Sequence, residues 1–298
     1  MTFIRYLVIT CAALSISMTA VAGAVDTNLP TISYVSFAST NLVSPDGPLT
    51  ISGQLRIPTG ESQEVGVDTA EEGVPAVVVL HGSAGLDSRG SLYVEALNNA
   101  GIATLEIDMW AARGVTGGGD RPPLPTLTVP DAFSALKYLA ENPAIDEDRI
   151  GILGFSWGGV VTMLAATNAY TNQYGEGYTF KAHVAHYPVC WAYSAGIQGI
   201  FFYDLTGNPV LIQIGDQDDY DDGPEQCEAL AAPFSNVAVN VYNNAYHAWD
   251  RLQPAITVVD PFSHQGAGGE VEIVPNPGKA FQSRSNVVEF FDAELSVE

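Results

Sequence analysis

Basic residues are scarce. The 298-residue chain carries 11 Lys plus Arg against 34 Asp plus Glu, a formal net charge of −23, and its lysines are Lys137, Lys181 and Lys279 alone. A surface of that sign repels phosphate backbones and anionic lipid heads, which argues against nucleic-acid and membrane-surface binding. Cysteine is scarce too: three residues, with no C-x-x-C pair and no spacing suited to zinc, so neither a metal nor any other cofactor is expected. No unbroken apolar run reaches the roughly 20 residues of a membrane span, so no stable membrane anchor is expected. Repeats, low-complexity tracts and a clear inter-domain linker are also missing. What remains is a 47% hydrophobic chain with enough apolar sequence for one large α/β core.

The first 22 residues read as a signal peptide. Arg5 supplies the positive start, residues 7–21 are apolar, and Ala20-Val21-Ala22 is a small-x-small cleavage site. The protein is therefore expected to be exported, to a periplasm or to the medium, as a single domain of residues 23–298. Two cysteines then remain. In an oxidising compartment Cys190 and Cys227 are disulfide candidates; two buried free thiols is the alternative that spacing leaves open.

Leu49, Ile51, Leu55 and Ile57 alternate with polar residues, the period of a half-exposed strand, and with residues 32–37 predict an N-terminal antiparallel hairpin. Residues 61–72 are an acidic loop. Apolar strands are then predicted at 76–80, 102–107, 150–153, 182–186, 210–214 and 237–242, with helices at 91–100, 131–141, 224–231 and 279–295. Continuous apolar strands alternating with helices mean a mostly parallel central sheet covered by helices on both faces. Ligands of such sheets bind beyond the carboxyl ends of the strands.

Gly154-Phe155-Ser156-Trp157-Gly158 lies between the strand at 150–153 and an apolar helical run. This G-x-S-x-G in a strand-to-helix context predicts a sharp turn presenting Ser156 as a nucleophile. A serine hydroxyl needs a base, and the base a carboxylate to orient it, in the chain order Ser, Asp, His. After the strand at 210–214 comes Gly215-Asp216-Gln217-Asp218-Asp219, where Asp218 is favoured over Asp216 and Asp219 by its position in the turn. His247 follows the strand at 237–242. His81, His183, His186 and His264 fit the order less well and are read as structural. Oxyanion donors are expected from the backbone N–H groups of Trp157 and of Ser83 or its neighbour Ala84, in the small-residue loop His81-Gly82-Ser83-Ala84-Gly85.

Taken with residues 77–82, 146–151, 154–159, 186–190, 209–219 and 242–247, the chain resembles the dienelactone hydrolase family of the α/β-hydrolase superfamily. The resemblance implies an α/β-hydrolase fold and a triad, carried here onto Ser156, Asp218 and His247. The enzyme that names the family has cysteine at the turn where this chain has Ser156, which points to a broader serine carboxylesterase. That enzyme also holds its substrate's carboxylate with arginines. Arg113 and Arg121 lie at the corresponding end of the sheet. Arg113, and Trp249, expected to pack close to His247, are the candidate substrate contacts; the alternative for either arginine is a pair with Asp108 or Asp120. The expected function is hydrolysis of a small-molecule carboxylic ester or lactone. A peptidase or acyltransferase using the same triad, and a non-catalytic ligand-binding protein on this fold, are the alternatives.

Overall fold

Thr31–Ser39 (β1) and Leu49–Ile57 (β2) pair antiparallel, with Thr31 opposite Ile57 and Ser39 opposite Leu49. The computed structural model describes residues 29–44, 47–59 and 73–296; the signal segment and the loop at 61–72 lie outside them. β2 pairs antiparallel with Ala103–Asp108 (β4), and from there every pairing is parallel. The remaining strands are Val74–Leu80 (β3), Ile145–Phe155 (β5), Ala182–His186 (β6), Val210–Gln217 (β7) and Val237–Tyr246 (β8), in the spatial order β1-β2-β4-β3-β5-β6-β7-β8. Residues 76–80 of β3 are all buried, so neither face of the sheet is open to water there.

The helices form where the sequence offers starts and stops. Asp87 accepts a hydrogen bond from Arg89 N to begin Ser88–Asn99 (α1), and Gly101, at φ +83°, follows its end. Val129–Ala140 (α2), Trp157–Ala165 (α3) and Asn168–Tyr174 (α4) pack as one group. Glu225–Ala231 (α5) follows β7. Pro277–Glu294 (α7) begins with proline behind an Asn276 cap and packs on α1. Helix α4 and one strand pair escape the sequence reading: Ile256–Asp260 (β9) and Gly269–Ile273 (β10) form a separate two-stranded sheet. They are joined through a short turn, Ser263–Gly266 (α6), in which His264 and Gln265 take left-handed φ and ψ. No helix of the described residues is long and apolar enough to cross a membrane.

Cys190, in a 3-10 turn after β6, is bonded to Cys227 in α5. Beside the bridge, buried Asp221 accepts from the backbone N–H groups of Cys190 at 2.8 Å and Trp191 at 2.7 Å. Burial, and then the charge of Asp218, pushes the Asp221 carboxyl up from 3.8 to about 7. A folded-state value above the unfolded one means the native state binds the proton more tightly. The stability this residue contributes is full at low pH and is lost as pH rises from about 4 to about 7. Asp221→Asn should therefore flatten a downward slope in the unfolding free energy from urea denaturation over that window, a slope of at most ~1.4 kcal/mol per pH unit. Identical pH profiles for variant and parent would refute the assignment.

Candidate active site

β5 delivers the chain into Ser156 at φ 51°, ψ −106°, a conformation that side-chain-bearing residues rarely take. The neighbours make it affordable. A Cβ at position 154 would meet Gly158 O at 2.1 Å, and one at 158 would meet Leu80 O at 2.5 Å, so both must be glycine for the turn to close against β3. Ser156 N donates to His186 O at 2.9 Å, and Val160 N donates to Ser156 O at 2.8 Å to start α3. The Trp157 N–H, in the first turn of that helix, has no intrahelical acceptor and stands at the positive dipole end beside Ser156.

His247 and Asp218 come from the carboxyl ends of adjacent strands β8 and β7. His247 Nε2 lies 2.9 Å from Ser156 Oγ, and His247 Nδ1 lies 2.8 Å from Asp218 Oδ2. An ionised carboxylate only accepts, so Nδ1–H donates to Asp218 and Nε2 keeps its lone pair toward the serine hydroxyl. Asp218 Oδ1 accepts from Tyr220 N at 2.9 Å. All three side chains are buried. The two rivals of Asp218 point elsewhere: Asp216 accepts a long bond from Ala245 N, and Asp219 accepts from Glu272 N on β10. The imidazole is held between Tyr187, 4.6 Å away ring to ring, and Tyr220, at 4.3 Å.

Behind Tyr187 lies a buried polar network. Asp250 accepts from Tyr93 at 2.7 Å, Tyr187 at 2.6 Å and His186 Nδ1 at 3.1 Å. Burial alone would raise the Asp250 carboxyl, but the His186 hydrogen bond and the Arg89 charge hold it below the usual range. His81 has the structural role expected of it. Burial lowers it to about 4; its Nδ1–H donates to Gly82 O and its Nε2 accepts from Met109 N, tying the loop at 81–85 to the end of β4. The Ser83 carbonyl is anchored away by Trp110 Nε1 at 3.1 Å and Gly118 N at 2.7 Å. Ser83 and Trp157 both line the cleft at Ser156.

The cleft has two parts. An apolar pocket lies over Trp157, Val160, Val189, Ala192, Ile197 and Ile200. A larger, more polar one includes His247, Ala248, Arg89 and Arg251. Neither candidate substrate contact lines them. Arg113 pairs with Asp131 at 2.7 Å, not with Asp108 or Asp120, and also donates to Met109 O and Leu127 O. It is a buried tie between the loop after β4 and α2, and the substrate assignment is corrected accordingly. Trp249 is fully buried and packs on His186, Tyr187 and Tyr242, so it supports Tyr187 rather than walling the cleft. Of the two arginines in the loop after β4, Arg121 is the one that faces the cleft, along with Tyr220, Asp260 and Phe262. The last two belong to the β9–β10 hairpin and had no sequence signal. That hairpin is fastened to the loop carrying Asp218: His264 N donates to Asp219 O, Gln265 N to Tyr220 O, Glu272 N to Asp219 Oδ2, and His264 Nδ1 meets Asp222 at 2.7 Å.

The sequence profile of the dienelactone hydrolase family matches residues 65–294. No curated protein matches the chain. Among solved structures, a dienelactone hydrolase from Anabaena variabilis is similar at 19% identity and a TM-score of 0.57, over 90% of this chain and 100% of that one. A dienelactone hydrolase-like promiscuous phosphotriesterase from metagenomic libraries is similar at 17% identity and a TM-score of 0.57, over 89% and 99%. An esterase from Pyrobaculum calidifontis follows at 17% and 0.54, over 88% and 83%. These likenesses establish the α/β-hydrolase fold. With the family profile covering most of its length, the chain belongs to the dienelactone hydrolase family and is a carboxylic ester hydrolase.

Proposed function

We propose that the protein is an exported serine hydrolase that cleaves neutral carboxylic esters or lactones through an acyl-enzyme. The observation that carries this is His247, within hydrogen-bonding reach of Ser156 Oγ on one side and of Asp218 on the other. Ser156 Oγ attacks the carbonyl carbon as its proton passes to His247 Nε2, and Asp218 stabilises the imidazolium. The oxyanion is held by the N–H groups of Trp157 and Ser83. Collapse breaks the bond to the alcohol oxygen, which takes the proton from Nε2. Water, deprotonated by His247, then attacks the acyl carbon and releases the acid and the free serine.

The leaving oxygen must sit against Nε2, so the alcohol occupies the part of the cleft that includes His247. The acyl chain occupies the apolar pocket on the Trp157 side, which lacks that imidazole among its lining residues. Export is supported by the signal-like residues 1–22 and fits a paired Cys190 and Cys227.

A fluorophosphonate probe tests the mechanism directly. It should label the native protein at Ser156, within minutes and to one equivalent. Native protein that stays unlabelled, or label recovered on a different residue, would sink the proposal.

A further inference from the structure

Arg121 and Asp260 are the charged groups among the described residues that line the apolar pocket, and they are spent on each other. Arg121 Nη2 lies 2.7 Å from Asp260 Oδ2, with side chains 15% and 5% exposed, so water screens the pair weakly. The carboxylate is held from three segments. Arg121 comes from the loop after β4, the Tyr220 hydroxyl donates at 3.0 Å from the loop after β7, and Phe262 N donates to Oδ1 at 2.9 Å. Arg121 also donates to Gly118 O and lies over the Trp157 ring, 5.9 Å from its centroid.

We infer that Asp260 is a specificity-determining residue: by neutralising Arg121 it sets the acyl pocket for uncharged chains and turns away carboxylate-bearing ones. The inference rests on the esterase reading above. An acyl chain with a terminal carboxylate has to compete with Asp260 for the guanidinium or lie unpaired beside two carboxylate oxygens. Either course forfeits its solvation without a partner. A neutral chain pays neither penalty and gains the contact of Val160, Ala192 and Ile200. Removing the Asp260 charge leaves a guanidinium facing the pocket, and a substrate carboxylate becomes its natural partner.

Three p-nitrophenyl esters of equal chain length test this: the hexanoate, the adipate half-ester and the 6-aminohexanoate. The native enzyme should favour hexanoate over adipate by about tenfold or more in kcat/KM. Asp260→Asn keeps an acceptor for Phe262 N, offers the Tyr220 oxygen an N–H in place of the second carboxylate oxygen, and should shift that ratio toward adipate by about tenfold or more. Arg121→Met bares Asp260 and should shift preference toward the 6-aminohexanoate. A native enzyme that cleaves the adipate ester as well as the hexanoate overturns the inference, as does a folded Asp260→Asn protein with an unaltered ratio. If Asp260→Asn does not fold, Arg121→Met and the native ratio still decide it. A native protein that cleaves none of the three and is not labelled by fluorophosphonate refutes the esterase reading instead.

Discussion

Ser156→Ala should lower kcat for a p-nitrophenyl ester by about four to six orders of magnitude, to a residue that reflects binding and oxyanion stabilisation alone. Alanine fits the turn no worse than serine, since it is the backbone at φ 51° that is strained and no neighbour depends on the hydroxyl except His247. The far-UV spectrum and melting temperature should therefore be unchanged, which separates loss of chemistry from loss of fold. His247→Ala should cost about as much, and the double variant little more than either single one, because the serine and its base act as one unit. Strictly additive losses would mean that the two side chains work independently, and a Ser156→Ala enzyme with native turnover would remove the mechanism altogether.

Opening the disulfide should have the largest effect on stability. Cys190 and Cys227 are 37 residues apart, and closing a loop of that length restricts the unfolded chain by about 4 kcal/mol in the chain-entropy view. For a protein of this size the melting temperature of a Cys190→Ala, Cys227→Ala protein should fall by on the order of 10 °C. Function should suffer at temperatures where the fold survives, because the bridge pins the 3-10 turn whose Ala192 lines the apolar pocket proposed to take the acyl chain. The expected signature is a raised KM for long acyl chains with little change in labelling of Ser156. A melting temperature unmoved by dithiothreitol, with thiol titration showing full reduction, would contradict this.

The strands and the three residues at their ends were legible because each depends on a local rule. Apolar runs fix β3 to β8, and the chain order of Ser156, Asp218 and His247 follows from which strand each one terminates. Asp218 is preferred over Asp216 and Asp219 in the sequence because a tight turn expected at Gly215 sends it back toward the strand end; β7 instead runs on to Gln217, which leaves Asp218 the first residue beyond it. The hairpin of β9 and β10 was not legible. Its strands are five residues each, and Ile256 and Val259 are exposed, so no burial pattern marks them. The arginines failed for a different reason. Arg113 and Arg121 sit in one loop, eight positions apart, and nothing local tells which will turn inward. That was decided by Asp131 on α2 and Asp260 on β9, partners whose proximity is a product of the fold. Trp249 is two positions from His247, but the chain turns there, with Ala248 at φ 55°, and the ring goes into the core behind Tyr187 instead.

The fastening of the β9–β10 hairpin to Asp219, Tyr220 and Asp222 makes that hairpin a fixed ceiling rather than a lid. Lifting it would drag on the very segment that aims Asp218 at the imidazole, so an opened state would be a disarmed one. Binding and release then have to proceed with the hairpin in place, over a polar cleft that Gly118 and Gly119 leave without side chains along their part of its lining.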